Sequence, residues 1–321
     1  LALSYLGALL ASAVCGTPYL FSAYSTALAS KLKFSSVQIN TIGSAANYGC
    51  YLSGPICGYI VDHHGSRRAA IISSFIMFTG YFCLAMTYEG IFSSKSFLLC
   101  ALYLLLVGIA SSGAYNAVLG LVARNFTKNR GIAFGFPVAL YGLSAFIFAQ
   151  TNSLYFKNDT YHFLLFLAIS CGLAMFIGGW FLVIIPRSRY TKLNPEEVDQ
   201  ISDLPESSSS DQDNEQTSLL ANKVSFDEPD IGGWELFYNH DALLLGILMS
   251  LLGGCGLMYI NNVGAIIKSL YSLPSSNPKS QSPGKTAIAD IQELQNLHVS
   301  ILSIFSCVGR IFVGFSSDIT K

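Results

Sequence analysis

The sequence has little charge, and long parts of it have none. Only 12% of the 321 residues are Asp, Glu, Lys or Arg, about half of the roughly 25% that soluble domains carry. Six stretches of at least 20 residues lack a charged side chain, at positions 1–29, 34–61, 69–88, 96–123, 131–156 and 161–186. Since about 20 apolar residues cross the hydrocarbon core of a bilayer, this absence predicts membrane spans and argues against a soluble domain.

Several other signals are missing as well. All eight cysteines lie in apolar runs, and none has C-x-x-C spacing, so neither a zinc site nor a disulfide framework is indicated. The net charge of −1 provides no basic surface for nucleic acid. The motifs H-E-x-x-H and G-x-S-x-G do not occur. We therefore expect no cofactor, no metal, no catalytic residues and no enzymatic activity.

What the sequence contains is a series of apolar helices, which predicts an all-α polytopic membrane protein. We place the helices at about 1–29, 37–61, 69–88, 97–123, 131–154, 161–186, 239–271 and 294–316. Loops after the second, fourth and sixth spans hold eight basic residues: Arg67, Arg68, Arg124, Lys128, Arg130, Arg187, Arg189 and Lys192. The loops after the first, third and fifth spans hold four: Lys31, Lys33, Lys95 and Lys157. Because basic residues favour the cytosolic side, the first set of loops is predicted to face the cytosol.

Positions 193–230 differ from the rest, with eleven acidic residues against the single Lys223. Such a segment buries too little apolar surface to fold, so we predict a disordered cytosolic linker. It separates an N-terminal six-helix bundle at 1–192 from the start of a second bundle at 231–321. Within the linker, Glu215, Leu219 and Leu220 match an acidic dileucine signal, E-x-x-x-L-L. This signal would bind a coat adaptor and predicts a vacuolar or lysosomal membrane rather than the plasma membrane; the alternative is a chance match.

A short motif occurs twice, once on each side of the linker. Gly58 and Asp62 end the second span, and Gly314 and Asp318 end the eighth with the same G-x-x-x-D spacing. Such a repeat indicates a duplicated half. A carboxylate at the cytosolic end of a span can pair with a nearby Arg or with a helix N-terminus, and so act as a conformational latch. The alternative is a plain turn with charged flanks.

The first copy extends to Gly65, Arg67 and Arg68, and G-x-x-x-D-x-x-G-x-R-R resembles the signature loop of the major facilitator superfamily. That resemblance implies two six-helix bundles around a midplane cavity that opens alternately to each side. Only eight of the twelve implied spans are present, so we expect a fragment. The run N-F-T-K-N-R-G at 125–131, with Gly135 and Y-G-L-S at 141–144, resembles the nodulin-like branch, which is grouped with fungal monocarboxylate-transporter homologues. G-T-P-Y at 16–19 fits the same branch.

Polar side chains inside the spans are candidates for substrate binding. In the superfamily, spans 1, 4 and 7 line the cavity, and in this chain Asn116 and Asn262 lie on stripes of small residues in spans 4 and 7. A buried amide needs hydrogen-bond partners, from a neighbouring helix or from a ligand. Tyr141 is a third candidate, and Tyr24, Tyr115, Tyr259 and Asn261 are weaker ones.

Arg310 lies deep inside the eighth predicted span. Placing an Arg there costs about 2.5–3.5 kcal/mol, so the charge needs compensation. One interpretation is a clamp for an anionic group, since Arg binds carboxylates with two parallel hydrogen bonds. The alternatives are a structural Arg in the latch region or one that reaches the interface. Proton-coupled monocarboxylate carriers have an Arg at the matching point, but Ser306 stands where they carry an acid.

These features predict a secondary transporter that works by alternating access, for a small organic anion or another polar metabolite. Its partners would be that small molecule and the lipid bilayer. The rival hypothesis is a non-transporting membrane receptor or scaffold on the same fold. Both copies of the G-x-x-x-D motif are intact, which favours transport, because a receptor has no need of a latch.

Overall fold

The computed structural model describes residues 1–92, 96–126, 130–156, 159–183, 238–271 and 285–319, and within these ranges all regular secondary structure is helical. The helices are α1 Ala2–Cys15, α2 Phe21–Leu32, α3 Ser36–Leu52, α4 Gly54–His64, α5 Ser66–Glu89, α6 Phe97–Asn125, α7 Arg130–Tyr155, α8 Thr160–Phe181, α9 His240–Tyr271 and α10 Lys285–Ile319. The predicted all-α class is confirmed.

Within the described residues, six segments are long and apolar enough to cross a membrane: Ala2–Leu32, Ser66–Glu89, Phe97–Asn125, Arg130–Tyr155, Thr160–Phe181 and Leu297–Ile319. The predicted second span falls short because it is divided into α3 with 17 residues and α4 with 11. In α9 the apolar part is His240–Gly256, which is also shorter than a full span. The six segments named above indicate a multi-pass membrane protein.

The two helices predicted at about 1–29 and 37–61 are interrupted in the structure, although Ala2–Leu32 as a whole has the length and hydropathy of a membrane span. The first is interrupted after Gly16 by a 3-10 turn at Thr17–Leu20, which contains Pro18. The second is interrupted at Ser53, before Pro55. Proline has no N–H to donate and clashes with the preceding turn, so each interruption falls where a helix cannot pass without a lost hydrogen bond. Hydropathy alone does not register this effect.

The helices pack through small residues, as expected where lipid replaces water and close contact between helices stabilises the bundle. Gly108 of α6 lies against the backbone of Ala46 and Cys50 of α3, as its small-residue stripe predicts. At Gly54 and Gly58 of α4, by contrast, a side chain would meet no described atom within 4 Å.

Helix ends are closed by local hydrogen bonds. Ser35 and Gln38 form a reciprocal capping box at the start of α3, and the Asp159 side chain accepts a bond from the His162 N–H at the start of α8. Gly65 joins α4 to α5 with φ +86°, a backbone conformation that glycine adopts at little cost. The glycine of the signature loop therefore has a direct conformational reason.

Contacts divide the chain into two units. One comprises Leu1–Ile185 with Gly256–Lys321, and the other comprises Pro186–Cys255. In the second unit, the structure describes residues 238–255, which are helical from His240 onward. The predicted linker and its dileucine residues Glu215, Leu219 and Leu220 lie outside the described residues.

Candidate functional site

The carboxylate of Asp318, near the end of α10, binds the N-terminus of α7. Its two oxygens accept hydrogen bonds from the backbone N–H groups of Gly131 and Ile132, both at 2.8 Å. The first N–H groups of a helix have no partner inside the helix and lie at the positive end of its dipole. A carboxylate that accepts two of them forms charge-assisted bonds. This is one of the two pairings that the sequence predicts for a latch.

The same point is a close crossing of two glycines. A Cβ at position 314 would lie 2.7 Å from the carbonyl oxygen of Gly131 and 3.3 Å from the Cα of Gly135. A Cβ at position 131 would overlap Gly314 in turn. Any larger side chain would therefore separate the helices, and Asp318 could no longer reach the N–H groups. The resemblance to the nodulin-like branch rests partly on Gly131 and Gly135, and the structure gives them a packing role.

The first copy of the motif has a different partner. Asp62 forms an ion pair with Arg124 at the end of α6, at 3.0 Å, and the Asp62 side chain is 66% exposed. Arg67 lies over the ring of Trp180 at 4.3 Å, and Arg68 is exposed. Exposed ion pairs contribute about 0.2–1 kcal/mol. In the described residues the contact of Asp62 is thus weaker than that of Asp318.

A group of tyrosines, Tyr19, Tyr51, Tyr115 and Tyr141, forms a second site, which we call the tyrosine cluster. The buried ring of Tyr141 has Tyr115 at 4.5 Å and Tyr19 edge-on at 5.7 Å, measured between ring centroids. The hydroxyl groups of Tyr19 and Tyr51 are hydrogen-bonded at 2.9 Å. These are ordinary geometries for aromatic pairs, and the cluster joins the first, second, fourth and fifth spans.

The two interrupted spans meet at this cluster. Tyr19 lies in the 3-10 turn after Gly16, and Tyr51 lies two residues before the break at Ser53. Gly16 is in direct contact with the backbone carbonyl of Tyr141, where no side chain would fit. Interrupted helices in transport proteins mark binding sites because they free backbone groups inside the membrane. The breaks therefore point to the same location as the tyrosines.

Arg310 of α10 lies beside the cluster. Its guanidinium is 5.9 Å from the ring centroid of Tyr141. Nη1 donates a 2.6 Å hydrogen bond to the carbonyl oxygen of Val138. In the part of the chain that the structure describes, this is the one hydrogen bond of the guanidinium, and no carboxylate lies within 4 Å of it.

Arg310 also faces open space. A groove of about 550 Å³ runs between α7 and α10, lined mainly by apolar residues together with Arg310 and Ser306. A volume of this size holds a small organic molecule. The half-buried guanidinium of Arg310 thus lies between the tyrosine cluster and a groove large enough for a ligand.

The helix α7 connects this site to the contact of Asp318. Pro137 lies inside α7 and cannot donate a hydrogen bond to the carbonyl of Ala133. The hydroxyl of Tyr5, from α1, donates to that oxygen at 3.1 Å instead. The weakened turn lies between Gly131, where Asp318 binds, and Val138, where Arg310 binds. These two hydrogen-bonded contacts of α10 with α7 therefore flank a point where α7 bends more easily.

Comparison with known families decides the wider identity of the chain. The model of the family described as Nodulin-like matches residues 3–202, which is more than half of the sequence. The chain belongs to the Nodulin-like family. This match includes α1 to α8, and hence every tyrosine of the cluster, while Arg310 and Asp318 lie beyond it.

Several fungal proteins are similar to this Nodulin-like chain over nearly its whole length. An uncharacterized membrane protein of Saccharomyces cerevisiae is 27% identical over 98% of the chain and 67% of its own length. A probable transporter, MCH1, of Wickerhamomyces anomalus is 28% identical over 96% of the chain and 58% of its own length. The protein of that name in Candida albicans is 29% identical over 98% and 66%. The chain thus spans about three fifths to two thirds of the length of these relatives.

Solved structures establish the fold of the Nodulin-like chain. The inward-open xylose transporter XylE of E. coli matches with a TM-score of 0.51 at 13% identity, over 97% of this chain and 88% of that one. XylE bound to 6-bromo-6-deoxy-D-glucose, titled a proton:xylose symporter of the major facilitator superfamily, matches with a TM-score of 0.50, also at 13% identity. The predicted major facilitator fold is confirmed.

Only some of the predicted binding residues of this Nodulin-like protein lie at the tyrosine cluster. Tyr141 and Arg310 lie together in the cluster, with Tyr115 beside them. The amide groups of Asn116 and Asn262 each donate to a carbonyl one turn earlier on the same helix, from Ser112 and Met258 respectively. This was a third option beside the two that the sequence suggested. Asn262 lies on α9, and among the described residues it has no contact with the tyrosine cluster.

Two residues of the cluster, Tyr19 and Tyr51, were missed by sequence reasoning. Each stands within four residues of a proline in an uncharged span. The signal that could have identified them was a proline close to a tyrosine within an uncharged span, because the proline interrupts the helix there. Tyr24, a weaker candidate, is instead buried in the bundle core, with its ring against Phe21 and Phe163.

Proposed function

We propose that this protein is a secondary transporter that moves a small organic anion across its membrane by alternating access. The observation that carries the proposal is Arg310, a permanent positive charge within an apolar helix, close to no carboxylate in the described residues. Fungal relatives named probable transporters and the fold of a xylose transporter support the general activity. The choice of an anion rests on the chemistry of the site.

The charge balance of the site favours an anion over a neutral solute. An Arg inside a membrane span costs about 2.5–3.5 kcal/mol, and one hydrogen bond to a carbonyl offsets only part of this. A bidentate carboxylate would add charge-assisted bonds of about 1.5–3 kcal/mol. A neutral solute would leave the charge of Arg310 uncompensated. The site therefore gains most from a ligand that carries its own negative charge.

The latch and the binding residue share one pair of helices. Asp318 follows Arg310 by eight residues, or about 12 Å along α10, and both contact α7. A movement of α10 relative to α7 that releases Asp318 would also shift Arg310 from Val138. Occupancy of the anion site and the state of the cytosolic latch can thus bias each other, which is what alternating access requires.

The proposal is tested by counterflow in proteoliposomes that contain the full-length protein. Vesicles preloaded with an organic anion should take up the same radiolabelled anion faster than empty vesicles, and the uptake should saturate. A preload of a neutral sugar should give no such acceleration. Equal uptake in loaded, empty and protein-free vesicles, across a panel of organic anions, would contradict the proposal.

Gly142 is predicted to position Arg310. A Cβ at position 142 would lie 2.9 Å from Nη1 of Arg310 and 3.2 Å from Oγ of Ser306, so Gly142→Ala should displace the guanidinium. We expect the affinity for the transported anion to fall by about threefold or more, measured as the concentration for half-maximal counterflow. Gly253→Ala is the matched control, since a Cβ there meets nothing within 4 Å. Equal affinity in both variants would contradict this role.

The first latch residue should matter less than the second. Asp62→Asn removes an exposed ion pair with Arg124, which at about 0.2–1 kcal/mol changes a conformational equilibrium by about fivefold at most. Flux should fall while the abundance of the protein in the membrane stays nearly unchanged, as measured by counterflow and by immunoblot of membranes. Normal flux in this variant would remove the case for a latch at Asp62.

The dileucine motif leads to a separate proposal on location, a vacuolar or lysosomal membrane. Leu219→Ala with Leu220→Ala should move a fluorescently tagged full-length protein from internal membranes to the cell surface. Leu193→Ala, in the same acidic segment of the sequence but outside the motif, should leave the distribution unchanged. An identical distribution of the double variant and the unsubstituted protein would discard the sorting role of Glu215, Leu219 and Leu220.

A further inference from the structure

A second groove, of about 390 Å³, lies between α1, α5 and α8, at the helix ends that are predicted to face the cytosol. We call it the α1–α8 groove. It is lined mainly by apolar side chains, Leu3 of α1 with Trp180, Phe181 and Val183 at the end of α8, and Arg67 adds a cation. Leu3 and Trp180 are 60% and 54% exposed. Because lipid surrounds a bundle of apolar helices, this open apolar surface is available to lipid.

Contacts between α1 and the end of α8 fix the shape of the α1–α8 groove. The hydroxyl of Ser4 donates to the carbonyl oxygen of Val183 at 3.1 Å and accepts from the N–H of Val183 at 3.2 Å. A Cβ at position 7 would lie 2.8 Å from the Cβ of Phe181 and 2.9 Å from the carbonyl oxygen of Gly178, so the two helices are in close contact. A groove whose walls are held in place loses little entropy when a ligand binds.

Arg67 brings a positive charge to this groove, and the charge has little compensation. Its guanidinium lies 4.3 Å from the ring centroid of Trp180, which orients the side chain and leaves its N–H groups free to donate. Over the residues that the structure describes, Arg67 has no hydrogen-bond partner and no carboxylate within 4 Å. The carboxylate of Asp62 is already paired with Arg124. Since Arg68 is exposed next to it, the charge around the groove is positive.

A row of aromatic side chains continues from the groove toward the middle of the membrane. Phe176 lies one turn before Trp180 on α8, with the ring centroids 6.2 Å apart, and Phe75 of α5 lies 6.0 Å from Phe176. Phe75 and Phe78 are 60% and 39% exposed. From Arg67 to Phe78 the helix rises about 16 Å, which is about half of the hydrocarbon core. The row therefore has about the length of one acyl chain in one leaflet.

From these observations we propose that the α1–α8 groove binds an anionic phospholipid of the cytosolic leaflet. The headgroup phosphate accepts charge-assisted hydrogen bonds from Arg67, and one acyl chain lies along the groove and the aromatic row. The cytosolic leaflet is the one that carries anionic lipids. A zwitterionic phosphatidylcholine has the same phosphate and chains, but its choline would add a positive charge close to Arg67 and Arg68. The site therefore favours a lipid with a net negative charge, whichever substrate the protein transports.

The test is quenching of the fluorescence of Trp180 by phospholipids that are brominated in their acyl chains. The full-length protein, with every other tryptophan replaced by Phe, is reconstituted in mixtures of unlabelled lipid with brominated phosphatidylserine or brominated phosphatidylcholine. Because bromine quenches only at short range, the dependence on lipid composition gives the relative affinity of the two lipids at the groove.

We expect phosphatidylserine to bind about fivefold more strongly than phosphatidylcholine, which is the effect of one basic residue close to an anionic membrane surface. Equal quenching by the two lipids would overturn the proposal. So would the absence of quenching by either lipid, because it would show that another part of the chain covers Trp180 and fills the groove.

Substitutions of Arg67 distinguish this site from a general attraction of lipid to basic residues. Arg67→Gln should bring the two affinities to within about twofold of each other, while phosphatidylcholine quenches Trp180 as in the parent and so shows that the fold is kept. Arg67→Lys keeps the charge but loses the planar group that stacks on Trp180, and should retain a preference of about threefold. Lys33→Gln, at an exposed position at the end of α2, should keep the full preference. An undiminished preference in Arg67→Gln, or an equal loss in Lys33→Gln, would overturn the assignment of the phosphate to Arg67.

Discussion

Arg310→Gln is expected to lower the counterflow of organic anions by at least about tenfold. The side chain provides the positive charge beside the tyrosine cluster, and charge-assisted hydrogen bonds contribute about 1.5–3 kcal/mol, or roughly 10- to 150-fold in affinity. Any uptake of neutral solutes should remain unchanged, because Gln keeps a polar group near Val138 and removes only the charge. The measurement is the counterflow rate, compared between organic anions and neutral solutes in the same preparation.

Two further variants separate charge from geometry at this position. Arg310→Lys keeps a positive charge but loses the planar fork that holds a carboxylate with two bonds, so it should recover only part of the affinity. Lys33→Gln removes a positive charge from an exposed position at the end of α2 and should have no effect. Anion counterflow of normal rate in Arg310→Gln would contradict the assignment of the site.

Asp318→Asn is the second change with a large expected effect, and it should alter movement instead of binding. The carboxylate accepts two backbone hydrogen bonds at the start of α7, and an amide can accept only through its one oxygen and carries no charge. The latched form should therefore lose about 1–2 kcal/mol relative to the open form. We expect counterflow to fall several-fold to tenfold, with the anion concentration for half-maximal counterflow kept within about threefold and with normal abundance in the membrane.

A matched control for this variant is present in the same chain. Asp159 also binds the start of a helix, through the His162 N–H of α8, but on the side of the membrane predicted to be opposite. Asp159→Asn should leave counterflow unchanged. Gly314→Val should reproduce the effect of Asp318→Asn by steric means, because the new side chain would meet the carbonyl of Gly131. Full flux in both Asp318→Asn and Gly314→Val would exclude a latch at this crossing.

Much of the membrane architecture could be predicted from the sequence, because one strong physical effect controls it. A charged side chain in lipid is costly, so the uncharged stretches mark most of the helices directly. The same argument fails at Pro18 and Pro55, because hydropathy averages over a window and does not record the loss of single hydrogen bonds. The interruptions of the first and second spans were therefore missed, although both prolines are visible in the sequence.

The predicted latch and the candidate binding site could likewise be predicted from the sequence only in part. The sequence predicted that Asp62 would pair with a nearby Arg or a helix N-terminus, and Asp62 pairs with Arg124. Its repeat, Asp318, binds the N-terminus of α7. Which helix provides that N-terminus depends on a contact between residues 187 positions apart, which no local pattern determines. Tyr19 and Tyr51 escaped detection for the same reason, since a tyrosine gains its role only from the partners that the fold brings to it.

The two copies of the G-x-x-x-D motif differ in how strongly their carboxylates are bound. Asp62 and Asp318 have the same spacing to a preceding glycine, yet Asp62 binds an exposed Arg124 and Asp318 binds a helix N-terminus. The difference lies in what each helix end meets. Asp62 is 66% exposed, whereas Asp318 is half-buried against α7. The shared motif therefore predicts a carboxylate at the end of each helix, but it does not determine the partner of that carboxylate or the strength of the contact.

The most direct test of the account is the reactivity of Cys50, whose Sγ lies 3.7 Å from the hydroxyl of Tyr141. In the full-length protein, Cys50 would be kept as the sole cysteine, and a membrane-impermeant maleimide would be applied to inside-out or right-side-out vesicles. Alternating access predicts that Cys50 reacts from either side, that Asp318→Asn accelerates the reaction from the cytosolic side, and that a bound anion slows both. A Cys50 that reacts from one side only, in the parent and in Asp318→Asn alike and with no protection by any anion, would contradict it.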